Sequence, residues 1–225
     1  MNKKVVIGII IGIIVLLLAG LLLFTFTKKE DNELKINTFT SDKIKIETLT
    51  TKDNKLVIKI KSTDKIDLVD FDIAFYNKEE LVKTKDAFVK NLTEKEQYIA
   101  IDMPKDDEEN IIDITKIDIK TIDNLYDTSN VEDMISTLKT ETKKNEDALE
   151  LTVKTTSTSK ITEISLTTLF YKGSEIVSAQ SSYVVELNKE KKLSVTLPYE
   201  LDNGEIKYID YDKVEVIVNH ALKNK

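Results

Sequence analysis

The 225-residue chain has no cysteine, no tryptophan and no arginine, and its only histidine is His220. Each absence excludes something. Without cysteine there is no disulfide framework, no thiolate nucleophile and no lipoprotein cleavage box. One histidine cannot supply a zinc cluster, and nothing around it forms a Ser-His-Asp pattern. At the end of the last strand-like run, His220 reads as a surface or edge residue. Only Gly173 and Gly204 fall outside the apolar N-terminal stretch, which leaves no glycine-rich phosphate loop. No spacing among the 40 acidic residues marks a catalytic pair. The chain reads as non-enzymatic and without a cofactor. A net charge of −7 and a pI near 5.0 repel phosphate backbones, so nucleic acid is not an expected partner.

What is present begins at the N-terminus. Residues 1–4 form a short basic stub, and residues 5–27 carry no charge. The wholly apolar or glycine part, Val5 to Phe24, is about 20 residues, enough to span a bilayer as a helix. A cleaved signal would have a shorter apolar core of about 7–15 residues and a small-x-small site, so residues 5–27 read as an uncleaved signal anchor. Lys3, Lys4 and the free amine favour a cytosolic N-terminus. The remainder, less the two head lysines, carries −9 and is expected outside the cell. The abundance of Lys, Ile, Asn and Asp suits a low-GC, Gram-positive-type organism. Gly8 and Gly12 form a G-x-x-x-G, extended by Gly20, a stripe that could support weak dimerisation or docking of a membrane partner.

Beyond the anchor the chain repeats itself. Leu56, Ile58 and Ile60 return as Leu149, Leu151 and Val153; Val69, Phe71, Ile73 and Phe75 return as Ile164, Leu166, Thr168 and Phe170. Ile99, Ile101 and Met103 return as Leu193, Val195 and Leu197, each run closed by one of the two prolines, Pro104 and Pro198. IDITKI from Ile112 returns as IDYDKV from Ile209. The spacing of about 93–97 residues is too long for a solenoid unit and suits a small domain. Period-two alternation with Lys, Thr, Asp and Glu between predicts sheets with one buried and one wet face. Turn residues at Asn77-Lys78, Gly173 and Asn203-Gly204 separate the strands.

The expected fold is all-β: two tandem immunoglobulin-like β-sandwich domains behind one transmembrane helix. The expected boundaries are a polar stalk at 28–41, a first repeat at 42–122, a linker at 123–130 and a second repeat at 131–222, strung as beads with limited hinge freedom. Ile73-Ala74-Phe75-Tyr76-Asn77 and Thr168-Leu169-Phe170-Tyr171-Lys172, each followed by a polar turn and an Ile/Leu-Val strand, resemble the small immunoglobulin-like modules of bacterial exported proteins, loosely the FxLYD type. The resemblance implies a sandwich on a cell-envelope protein and no catalytic residues.

Candidate sites are few. Asp106, Asp107 and Glu108 in one loop, and Asp202 and Glu205 at the equivalent place, are weak calcium candidates, for which solvated turn charge is the simpler reading. Asp113 and Asp210, alike in both repeats, read as turn-tying acceptors. Tyr199, Tyr208 and Tyr211 read as a plug over the sandwich's open end or a binding surface. The functional expectation is a spacer or interaction protein on the outer face of the membrane, meeting a protein or cell-wall partner. The alternatives are an accessory subunit docked through the anchor and a weak calcium-dependent adhesin.

Overall fold

The computed structural model describes residues 34–107, 110–124, 130–146, 148–202 and 205–225, without the side chains of Asn124 and Asp202. The expected anchor, with Gly8, Gly12 and Gly20, lies outside the described residues. Among those described, no helix is long and apolar enough to cross a membrane.

The first repeat consists of β1 (Lys35–Phe39), β2 (Ile44–Thr50), β3 (Lys55–Ser62), β4 (Ile66–Asn77), β5 (Glu80–Leu92), β6 (Gln97–Asp102) and β7 (Lys116–Asn124). They form two sheets, ordered β1-β7-β4-β5 and β2-β3-β6. The second repeat consists of β8 (Val131–Asp133), β9 (Leu138–Lys144), β10 (Ala148–Thr155), β11 (Ile161–Lys172), β12 (Glu175–Leu187), β13 (Glu190–Thr196), β14 (Tyr199–Asp202), β15 (Glu205–Tyr208) and β16 (Lys213–Asn224). Its sheets, β12-β11-β16-β8 and β13-β10-β9, follow the same order, and the β14–β15 hairpin is an addition. The fold is all-β.

Alternation places the core. Val69, Phe71, Ile73 and Phe75 of β4 are buried, as are Leu56, Ile58 and Ile60 of β3. In the second repeat Leu149, Leu151, Val153, Ile164, Leu166, Phe170, Val195 and Leu197 share one core, with Val214 and Val216 packed against it. Each fully buried large apolar side chain contributes roughly 1.5–3 kcal/mol.

The connection before the last strand is held alike in both repeats, though not by the expected aspartates. Lys78 and Gly173 occupy the same hairpin turn with φ of 56° and 61°. The Lys78 N–H donates to Thr115 Oγ1 at 2.6 Å, and the Gly173 N–H donates to the Asp212 carboxylate at 3.0 Å. Thr115 N–H and Asp212 N–H donate in turn to Tyr76 O and Tyr171 O, both at 2.9 Å. The turn-tying position in IDITKI and IDYDKV is thus two residues beyond Asp113 and Asp210. Asp210 pairs with Lys172 on the surface.

Two expectations about organisation are corrected. Lys35–Phe39, read as stalk, is a strand parallel to β7, with Asn37 Nδ2 donating to Asp118 at 2.6 Å. Nor are the repeats beads. Lys35–Lys225 forms one compact unit, because the outer face of the β2-β3-β6 sheet packs on the outer face of β12-β11-β16. Val57, Leu169 and Ala179 are buried there, flanked by Leu49, Tyr98, Ala100, Tyr171, Ile176 and Ile217.

Candidate functional site

The seam between the repeats starts from a chemical need. β6 is the edge of its sheet, so one side of its backbone lacks a strand partner. Side chains of the second repeat supply the missing bonds. Tyr98 N–H donates to Asn219 Oδ1 at 2.9 Å, and Asn219 Nδ2 donates to Tyr98 O at 2.8 Å. Thr167 Oγ1 also donates to Tyr98 O, at 2.5 Å, and Ala100 N–H donates to Ser181 Oγ at 2.9 Å. Asn219 and Thr167 are themselves buried and bond each other at 3.1 Å.

A bulge aims Asn219. Opposite β11, β16 pairs Val218 with Leu166 and then His220 with Ser165, leaving Asn219 as an extra residue. A bulge of this kind re-aims a side chain. Here Val218 and Ala221 keep to the second repeat's core, while Asn219 and His220 both reach bonds on the seam face. The equivalent β4–β7 pairing has no such shift.

His220 is therefore not a surface residue; it is fully buried. Its Nε2 lies 2.8 Å from Glu163 Oε1, and Glu163 Oε1 lies 2.9 Å from Lys90 Nζ on the first repeat. An ionised carboxylate only accepts, so Nε2 carries the proton and donates. Burial alone would raise the Glu163 pKa, but bonds from His220, Lys90 and Tyr183 and the lysine charge hold it down at about 2. His220 Nδ1 is buried without a hydrogen-bond partner among the described residues. A second polar anchor lies further along the seam. Asp53 accepts from Thr51 Oγ1 and from Ser178 Oγ, each at 2.5 Å, with Lys55 Nζ at 3.6 Å. The Tyr98 phenol, pushed up to about 12 chiefly by burial, stays neutral.

Beside the seam is a cleft of about 790 Å³, lined from both repeats by groups including Lys83, Lys85, Asp102, Ser181 and Tyr199. Asp106 and Asp107 of the first acidic loop border it; Asp202 and Glu205 are not among its lining residues. The Asp106 carboxylate accepts from Asn110 N at 2.8 Å and from Asn110 Nδ2 at 3.2 Å, so it closes its own turn. Asp107 is exposed and Glu108 lies outside the described residues. Asp202 pairs in register with the exposed Glu205 across the hairpin. Among the described residues no three His, Cys, Asp or Glu side chains are grouped to hold a metal.

The three tyrosines are not one cluster. Tyr211 packs edge-on to Phe170, ring centroids 5.0 Å apart, and joins the second repeat's core. Tyr199 and Tyr208 pair on the hairpin with Leu201 and Ile206, and Leu201, Ile206 and Tyr208 are exposed.

No family model and no curated protein matches this chain. Among solved structures it matches native alpha-2-macroglobulin from Escherichia coli spanning domains NIE-MG1, at 5% identity and a TM-score of 0.20, over 82% of this chain and 98% of that one. At that score the likeness carries no argument about this chain.

Proposed function

We propose that this chain is a non-enzymatic, membrane-anchored protein of the outer face of a Gram-positive-type envelope. In this reading two immunoglobulin-like repeats act as a single stiff unit that spaces or presents an interaction surface. The observation that carries it is the capped edge strand: Asn219, Thr167 and Ser181 of the second repeat satisfy the backbone of Tyr98 and Ala100 in the first. A seam that ties two repeats together is what a spacer needs, since a hinge there would leave the spacing undefined. The apolar run from Val5 to Phe24 supports the anchor, and the lysines before it support a cytosolic N-terminus.

Protease added to intact protoplasts tests this reading. Digestion of both repeats, with a small N-terminal fragment left in the membrane fraction, supports it. Full recovery of the chain in the medium, or protection of the repeats until lysis, contradicts it.

A further inference from the structure

We propose that the cleft beside the seam binds an anionic group, a carboxylate or a phosphate, through Lys83 and Lys85 of β5. The register pairs Lys83 with Phe75 and Lys85 with Ile73, so both lysines lie on the core-facing side of an edge strand, where the core ends and the cleft begins. Lys85 reaches across to the other sheet and donates to the backbone oxygen of Asp102 at 2.6 Å. That oxygen is a dipole, not a counter-charge.

The charges around the cleft are largely matched to one another. Asp53 is bonded to Thr51 and Ser178 and faces Lys55, which also lies 3.8 Å from Asp102. Asp106 is bonded to Asn110, and Glu200 faces Lys207 at 3.5 Å. Among the described residues Lys83 and Lys85 have no carboxylate within 4.0 Å; Asp107, an exposed acid, also lines the cleft. Burial, and then the neighbouring Lys83, lower the Lys85 pKa against the nearby Asp102 charge. A bound anion would reverse that penalty and make charge-assisted hydrogen bonds to both amines.

Inward-facing lysines can also guard an edge strand against stray pairing. The second repeat has no lysine there, and its strand is covered by the first repeat, with Ser178 bonded to Asp53. Ser178 and Gln180 occupy the equivalent register positions on β12, opposite Phe170 and Thr168.

The test uses the full chain in a neutral detergent. Acylation of individual lysines by acetic anhydride is read by peptide mass spectrometry, with inorganic phosphate, with acetate, or with chloride at matched ionic strength. Lys83 and Lys85 should be slowed several-fold by one or both probes relative to chloride, while Lys45 and Lys78 are not. The more protective probe names the anion class. The same probe should raise the Tm, and Lys83→Gln with Lys85→Gln should abolish that rise, each amine removed weakening binding about tenfold. Protection no greater than in chloride, equal protection of all lysines, or a Tm rise that survives the double substitution would overturn the site. None of these outcomes bears on membrane anchoring.

Discussion

Asn219 takes the place of a neighbouring strand for Tyr98, accepting from its N–H at 2.9 Å and donating to its carbonyl at 2.8 Å. One carboxamide matches one peptide unit, and the bulge in β16 puts it where the edge of β6 runs. Asn219→Leu removes both bonds but keeps side-chain bulk; Thr167 still donates to the Tyr98 carbonyl, so the Tyr98 N–H is the backbone group left unsatisfied inside the seam. It should lower stability by about 1–3 kcal/mol in urea unfolding, the cost of one such group. A change under about 0.5 kcal/mol would mean that water reaches β6.

Glu163 bridges the repeats, so its ionisation should matter to stability. Its pKa is depressed in the fold, from 4.5 to about 2. Its contribution is therefore present above pH 4.5 and is lost as the pH falls from there towards 2. Glu163→Gln should cost about 1–3 kcal/mol at neutral pH, less than for a fully buried pair because Glu163 keeps some solvent contact. The variant should also show a shallower acid slope than the parent. Parallel acid titration curves for the two proteins would remove Glu163 from the seam.

The shared hairpin turn gives a prediction of opposite sign for each repeat. Lys78 holds φ 56° with a side chain, and Gly173 holds φ 61° without one. Lys78→Gly should stabilise the protein by a few tenths to about 1 kcal/mol, and Gly173→Ala should destabilise it by about 1–2 kcal/mol. The second effect is purely conformational, because a Cβ at Gly173 meets nothing within 4 Å. Chemical denaturation of the two variants checks both signs.

Phe170 lies at the centre of the second repeat, fully buried and edge-on to Tyr211. Phe170→Ala should cost about 3–5 kcal/mol. A loss below about 1 kcal/mol would mean that the face assignment of β11 is wrong.

The core faces were legible in the sequence because a strand's side chains alternate strictly. The period-two series through Phe75 and Phe170 placed the core face of β3, β4, β10 and β11, but not Val57, Thr167 and Leu169, which are buried on the opposite face. The seam was not legible, because Ser165, Thr167, Ser181 and Asn219 are what a wet face also carries. A signal was nonetheless present. Val57, Leu169, Ala179 and Ile217 are apolar on the face opposite the core, and Leu169 stands where the first repeat has Ala74. His220 was misread for a related reason. One extra residue in β16 shifts its phase, and a single-residue bulge leaves no mark in composition or periodicity. Likewise β1 is only half-buried and carries one isoleucine, too little alternation to separate it from a stalk.

The most direct test of the capped edge is hydrogen exchange at single amides of β6 in the full chain. Tyr98 and Ala100 have acceptors only on side chains of the second repeat, Asn219 Oδ1 and Ser181 Oγ, whereas Ile99 lies between them in the same strand, in register with Ile58 of β3. All three amides should be protected in the parent, and Asn219→Leu with Ser181→Ala should release Tyr98 and Ala100 while Ile99 stays protected. Fast exchange at Tyr98 and Ala100 in the parent, beside a protected Ile99, would show a free edge and repeats that are not joined as described.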